Sequence, residues 1–158
     1  MTNGLLWFSI ISTGIMAGVY FTFSAFVMRA LDEIEAPAGM LAMQSINRVI
    51  VNSAFLPLFF LSTIASVVLC GLALFDLGRA GAFWLLSGST IYVLGMFVVT
   101  IAGNVPLNNR LEATVAAEPE GADMWRIYLR KWKVWNHVRT ACCTISMGLL
   151  VTAATIRM

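Results

Sequence analysis

Charged residues are scarce in this sequence. Only 11% of its 158 residues are Asp, Glu, Lys or Arg, compared with about 25% in an ordinary soluble domain. Hydrophobic residues make up 59% of the chain, and the mean hydropathy is +0.84. A soluble globular fold is therefore excluded, because so few polar side chains cannot cover so much apolar surface.

Metal-binding patterns are also missing. The chain has a single histidine, His137, and its three cysteines form neither a CxxC pair nor a Cys/His ligand pattern. A conventional zinc or haem site is therefore not expected, and we predict no metal. The nine methionines are scattered at helical spacing and are predicted to fill the core.

Long apolar runs account for the hydrophobic excess. Four of them, at about residues 5–28, 49–75, 81–103 and 138–156, are long enough as helices to cross a hydrocarbon core of roughly 30 Å. The first run lacks the positive flank of a signal peptide and exceeds its length, so we expect it to remain as a helix. The predicted fold is all-α: one integral membrane domain, a four-helix bundle with a long cytoplasmic extension of helix four.

The basic residues lie mostly on one side of the predicted membrane. Residues 29–48 and 104–139 share a side that holds eight of the ten Lys and Arg residues, while only Arg79 and Arg157 lie on the side of the termini. Positive charge stays in the cytoplasm, so we predict a cytoplasmic (inner) membrane protein with both termini outward. Because the basic residues follow the membrane edge and are mixed with acids, membrane lipids are the predicted partner and nucleic acid is not.

Proline and glycine positions predict the helix ends and contacts. Pro37 stands where a helix can begin, Pro57 is predicted to bend the second span, and Pro106 to end the third span at the cytoplasmic surface. Gly14 and Gly18 are four residues apart, a spacing that lets a second backbone approach closely. This pair is predicted to pack within the bundle or to form a homo-oligomer.

Polar residues gather where three predicted spans meet the cytoplasmic surface. Amide and guanidinium side chains at Asn47, Arg48, Asn52, Asn104, Asn108, Asn136 and Arg139 are expected to converge in one pocket. Trp132 and Trp135 are expected to form its aromatic wall, although an aromatic belt at the headgroup level also explains tryptophans in this position. Polar groups inside a membrane are costly, so their convergence predicts a functional site.

Three motifs in these segments resemble a family of small membrane proteins whose named members include the anthrone oxygenases. They are Gln44-Ser45-Ile46-Asn47-Arg48, Asn104-Val105-Pro106-Leu107-Asn108 and Trp132-x-x-Trp135-Asn136-x-x-Arg139-Thr140. The resemblance extends over nearly the whole chain. It implies a four-helix membrane protein and an oxygenase that needs no metal, flavin or other cofactor.

The chemistry of such an oxygenase assigns candidate roles. An anthrone-like substrate has an acidic carbon between aromatic rings, and its phenolate can pass an electron to oxygen. The candidate catalytic residues are Asn104, Asn136, Arg139 and His137, with His137 as the base. The candidate substrate-binding residues are Gln44, Asn47, Arg48, Asn52, Asn108, Trp132 and Trp135. His137 also fits a surface histidine at the membrane interface, because it shares a helix side with Arg130 and Lys133.

Two functions of different classes are consistent with the sequence. The first is a cofactor-independent oxygenase or related enzyme that acts on a lipophilic aromatic or quinone-like small molecule. The second is a non-enzymatic membrane module that binds lipid or a protein partner, in which the inner asparagines and arginines hold the helices together. Loss of ligand binding with the fold retained in an Arg139→Ala variant would favour the first.

Overall fold

The computed structural model describes residues 2–157, which form five helices and no strand. Helix α1 comprises Thr2–Thr22, a π-helical segment Phe23–Val27 and Met28–Asp32; α2 is Ala36–Ile50; α3 is Phe55–Phe75. Helix α4 comprises Ala82–Tyr92, π-helical segments Val93–Val98 and Thr100–Asn104, and Val105–Glu112; α5 is Pro119–Arg157.

Four helices, α1, α3, α4 and α5, are long and apolar enough to cross a membrane. Only a third or slightly more of each apolar window is buried inside the chain, so most of its side chains face outward. Large apolar residues such as Ile11, Ile64 and Val67 are more than half exposed, as expected for a surface in contact with lipid. The protein is an integral membrane helical bundle, which confirms the predicted fold class.

The four membrane helices form a ring in which each packs against two others. Helix α5 packs against α1 and α4, and α3 closes the ring on the other side. Successive spans run in opposite directions, so α2, the last turns of α1 and α4, and the first half of α5 gather at one end, here called the α2 end. Their aromatic and methionine side chains form a core there. Met28, Met40 and Met43 are fully buried in it, which confirms the core-filling role predicted for methionine.

Pro106 does not end the third span, contrary to the prediction. Helix α4 continues through it to Glu112, and the π-helical segment Thr100–Asn104 ends just before it. A membrane helix tolerates an interior proline where local π-helical geometry accommodates the ring and the freed backbone groups. Pro37 does begin a helix, as predicted.

Pro57 does not bend the second span either. The chain leaves helix after Ile50, and α3 begins at Phe55, so Pro57 lies in the first turn of α3. The apolar run predicted to start at residue 49 therefore contains a helix end and a turn before its membrane helix. This break lets α2 and α3 point in different directions and leaves space between them for a cavity.

Gly14 and Gly18 have different surroundings. A side chain at Gly14 would lie 3.0 Å from the sulfur of Met147 on α5, whereas one at Gly18 would meet no atom within 4 Å. Gly14 therefore serves the close approach of α1 and α5 inside the bundle. A homo-oligomer through this helix face stays a prediction, and Gly18 is the position that would serve it.

Candidate site around Arg139

A cavity of about 170 Å³ lies at the α2 end, where all five helices contribute side chains. Its lining is mainly apolar and aromatic, and its polar members are Tyr20, Asn47, Thr100, Asn108 and Arg139. Apolar cavities of ~150 Å³ bind benzene. The cavity is therefore large enough for an aromatic ring, and its polar groups are placed to orient one.

Among the described residues, Arg139 is the only charged one that lines this cavity. It is 5% exposed, and its guanidinium carbon lies 4.2 Å from the centroid of the Tyr20 ring and 5.2 Å from that of Trp132. None of the ion pairs found in residues 2–157 includes it. Arginine stays protonated in proteins, so a positive charge is buried here with aromatic faces and neutral groups as its only neighbours.

Asn136 holds Arg139 in place and ties α5 to α1. Arg139 Nη2 donates to Asn136 Oδ1 at 2.7 Å, and Asn136 Nδ2 donates to the Tyr20 carbonyl at 2.8 Å and to Ser24 Oγ at 2.7 Å. Arg139 Nη1 donates to Thr100 Oγ1 on α4 at 3.3 Å. The guanidinium is thus anchored from two helices with its position fixed before any ligand arrives.

Several buried polar atoms around the cavity have no hydrogen-bond partner. They are Tyr20 Oη, Asn47 Nδ2, Arg139 Nε and, just behind the cavity wall, Asn104 Oδ1. A buried polar group without a partner costs about 1–3 kcal/mol, and folded proteins contain few of them. Half of the unpartnered atoms found in the described residues lie here. A polar ligand would supply the missing partners.

An aromatic stack runs along α5, and its last ring, Trp132, lines the cavity. The ring centroid of Tyr128 lies 5.8 Å from that of Trp125 and 5.8 Å from that of Trp132. The ring centroid of Phe23 on α1 lies 5.6 Å from that of Trp132. Asn108 Oδ1 accepts hydrogen bonds from Tyr128 Oη at 2.8 Å and from Trp132 Nε1 at 2.9 Å. Both polar tips are satisfied by one amide, so the faces of these rings are fixed for stacking.

The cavity has an apolar mouth on the outer surface of the bundle. Three of its lining residues, Val51, Phe60 and Ile101, are about half exposed. They come from the α2–α3 turn, α3 and α4. The cavity therefore opens on an apolar patch of the bundle surface.

A family model described as anthrone oxygenase matches residues 47–149, more than half of the chain. The chain belongs to the anthrone oxygenase family. This confirms the resemblance drawn from the three motifs. No curated protein and no solved structure matches the chain.

The residues that match the anthrone oxygenase family model include most of the polar residues that line the cavity, but none of α1. Asn47, Asn108, Trp132 and Arg139 line the cavity, as their grouping in the sequence predicts. Asn104 and Asn136 are buried directly behind the wall, where Asn104 Nδ2 donates to the Trp132 carbonyl at 3.4 Å. Six of the predicted site residues are therefore brought together around one cavity.

Other predicted site residues lie away from the cavity. Arg48 is exposed and forms an ion pair with Glu112. Asn52 was expected to need a partner deep in hydrocarbon, but it is exposed and donates a hydrogen bond to the backbone carbonyl of Arg48. The break after α2 brings both to the surface. Gln44 is buried but donates to the carbonyls of Leu111 and Thr114, so it joins α2 to the end of α4.

Trp135 and His137 face away from the cavity. Trp135 is 41% exposed and covers Gly103 from the outside, so an aromatic belt stays a prediction for Trp135 and does not apply to the buried Trp132. His137 is exposed, and its Nδ1 shares a hydrogen bond with Ser24 Oγ at 2.9 Å. Ser24 Oγ also accepts from Asn136, so His137 reaches Arg139 only through two other side chains.

Tyr20 and Thr100 were not among the predicted site residues. Both lie in strongly apolar spans, where a hydroxyl group is usually satisfied by its own helix. The sequence does contain one signal. Arg139 has no acidic residue three or four positions away on α5, so its charge requires neighbours from other helices. Which helix supplies them depends on the packing of the bundle.

Proposed function

We propose that the protein is a cofactor-independent oxygenase that binds a flat, lipophilic aromatic or quinone-like molecule in the cavity beside Arg139. The observation that carries this proposal is the buried guanidinium of Arg139 at the wall of an aromatic cavity, without a carboxylate to neutralise it. An anionic or strongly polarised oxygen on the ligand would compensate that charge. Membership of the anthrone oxygenase family supports the same reaction class.

The reaction requires a substrate with an acidic CH₂ group between aromatic rings. Loss of one proton gives an anion whose charge spreads onto a ring oxygen, where Arg139 stabilises it by a fixed positive charge in a mainly apolar site. One electron passes to O₂, and the substrate radical and superoxide combine to form a carbon–oxygen bond. The resulting peroxide takes up one proton, then loses water to leave a carbonyl group. Overall, CH₂ and O₂ give C=O and H₂O.

Different residues around the cavity bind different parts of the substrate. Trp132, held by Asn108, offers a ring face for stacking, and the unpartnered Asn47 Nδ2 and Tyr20 Oη offer hydrogen bonds to substrate oxygens. The described lining contains no Asp, Glu or His side chain. We therefore assign the proton acceptor to a water molecule in the site, with ionisation driven by the charge of Arg139.

Substrate and oxygen both enter from the lipid through the mouth at Val51, Phe60 and Ile101. Both molecules concentrate in the hydrocarbon phase, so a lateral opening meets them at their highest concentration. The protein lies in the cytoplasmic membrane with the α2 end inside, because that end carries most of the basic residues. A C-terminal reporter that is active only in the cytoplasm would contradict this orientation.

Oxygen consumption by the purified protein in lipid nanodiscs tests the function. We expect the wild type to consume O₂ when an anthrone is added, and Arg139→Leu to bind the anthrone more weakly and to lose turnover while keeping its helical circular dichroism. Arg110→Gln, which removes an exposed positive charge on α4, should behave as the wild type. The oxygenase proposal fails if Arg139→Leu is folded and turns over at the wild-type rate, or if the wild type neither binds nor oxidises such a compound.

A structural role for the polar network is the alternative, and the hydrogen bonds of Asn136 favour it. They join α5 to the backbone of α1, while Arg139 joins α5 to α4. A non-enzymatic module that binds lipid or a protein partner would need this network only for stability. In that case every substitution at Arg139 should lower the thermal midpoint in detergent, and no aromatic ligand should raise it.

A further inference from the structure

A second groove lies beside the extension of α5 and shares no lining residue with the cavity. It has a volume of about 640 Å³, is open to the surface and is bordered by the end of α1, the start of α2 and one face of α5. Trp125 and Leu129, which are almost fully buried, form its apolar floor. The groove thus offers a hydrophobic surface at the edge of the membrane.

The rim of this groove is positively charged. Arg126, Arg130, Lys133 and His137 recur at three- and four-residue spacing on α5, which places them on one helix face. The lining includes a single acid, Asp32 on α1. Arg126 is paired with Asp123, whereas the ion pairs found among residues 2–157 include neither Arg130 nor Lys133. Two cations therefore face the groove without a partner.

The groove continues into the lipid-facing surface of the same helix. Val134 lies in the groove and is 56% exposed, and Ala141 and Ile145 follow on α5 as exposed apolar positions within the membrane span. An occupant with a phosphate between Arg130 and Lys133 can therefore extend an apolar chain along this stripe. A soluble anion would use the cations but neither the apolar floor nor the stripe.

We propose that this groove binds an anionic phospholipid of the surrounding bilayer. The phosphate lies between Arg130 and Lys133, the headgroup rests over Trp125, and one acyl chain follows Val134, Ala141 and Ile145. The site is separate from the Arg139 cavity. It fixes the height of the α5 extension at the membrane surface, because the headgroup and acyl chain of one lipid engage both parts of the helix.

Lipid retention in native mass spectrometry tests this proposal. The wild type is extracted from nanodiscs of mixed phosphatidylglycerol and phosphatidylcholine, and the retained lipids are counted. The double variant Arg130→Gln/Lys133→Gln is compared with Arg110→Gln/Lys131→Gln, which removes the same two residue types at exposed positions outside the groove. Each single variant, Arg130→Gln and Lys133→Gln, is measured as well.

We expect the wild type to retain phosphatidylglycerol selectively. The groove double variant should lose roughly 30-fold in apparent affinity and each single variant about 5-fold, because a basic residue near an anionic lipid surface contributes about that factor. The control double variant should match the wild type. Equal loss in both double variants, or wild-type retention in the groove variant, overturns the proposal. Displacement of the lipid by millimolar inorganic phosphate also overturns it, since the groove would then be a simple anion site.

Discussion

The guanidinium carbon of Arg139 lies 4.2 Å from the centroid of the Tyr20 ring, while the Tyr20 hydroxyl has no hydrogen-bond partner. The ring face of Tyr20 and its hydroxyl group therefore serve different purposes. The face holds a cation inside a membrane bundle, and the hydroxyl is available to a ligand. Substitutions can separate the two, because phenylalanine keeps the ring and removes only the oxygen.

We expect Tyr20→Phe to keep the thermal midpoint of the wild type and to weaken binding of an anthrone about 3- to 10-fold, the worth of one hydrogen bond. Tyr20→Leu should in addition lower the midpoint, because the cation–π contact of about 0.5–2 kcal/mol is lost. Thermal unfolding in detergent and quenching of tryptophan fluorescence by the ligand measure the two effects. Equal destabilisation by both variants would show that the hydroxyl serves the fold.

Asn136 and Asn104 should differ in their contribution to stability. Asn136→Leu removes the acceptor for Arg139 and two donated hydrogen bonds, and it leaves a buried charge less satisfied. A loss of about 3–5 kcal/mol is expected. Asn104→Leu removes a single long bond and an atom that already has no partner, so about 1 kcal/mol or less should be lost. Comparable loss in both variants, measured by thermal unfolding in detergent, would contradict this difference.

Gly95 lies where α4 and α5 approach closely. A side-chain carbon at Gly95 would overlap the Cβ and Sγ atoms of Cys142, whereas one at Gly148 would meet nothing within 4 Å. We expect Gly95→Ala to destabilise the bundle by about 1–3 kcal/mol through overpacking. Gly148→Ala should stabilise it by up to about 1 kcal/mol, because alanine favours helix more than glycine does. In thermal unfolding, Cys142→Gly should recover part of the midpoint lost in Gly95→Ala, less the cost of a glycine within a helix. Failure of that second change to rescue would place the strain elsewhere.

Entry through the mouth predicts that a bulky side chain there changes the binding rates of an anthrone but not its dissociation constant. Ile101→Trp should slow both association and dissociation of an anthrone about tenfold, within the range that mutants of one site cover. Because both rates should fall by the same factor, the dissociation constant should stay within about twofold. Ile64→Trp, a change at a similarly exposed position on α3 outside the mouth, should alter neither rate. Stopped-flow fluorescence in nanodiscs measures both, and equal slowing by the two variants would rule out this entrance.

Much of the fold could be predicted from composition and run length. The scarcity of charge predicts membrane helices. Each hydrophobic run is long enough to span a membrane, so the number of runs predicts the number of membrane helices. The start of α2 at Pro37 also follows from a local rule. Pro57 was misjudged because it lies in a first turn, and its place depends on where the preceding helix ends. Pro106 was misjudged because a π-helical segment lets the helix continue through it, and sequence pattern does not indicate such a segment.

The site was predicted less completely, for a reason of geometry. Asn47, Asn108 and Arg139 could be grouped because each lies near the end of a predicted span on the same side. Asn52 was misplaced, since the turn after Ile50 exposes it to the surface. Tyr20 was overlooked because its importance depends on which face of α1 turns toward α5, and an apolar span without polar periodicity does not indicate its own rotation.

The π-helical segments beside the site let two spans carry an extra residue. Ser24 lies in the segment Phe23–Val27 of α1, and Thr100 and Asn104 lie in the segment Thr100–Asn104 of α4. A π-helical turn takes up about one residue more than an α-helical turn, so the side chains after it keep the direction of an ordinary helix that is one residue shorter. Deleting one residue inside either segment would therefore restore α-helix and keep Asn108 facing Trp132, whereas a deletion in ordinary α-helix would rotate everything after it by about 100°. Among natural relatives, single-residue length differences within the membrane spans should therefore fall in these two short stretches.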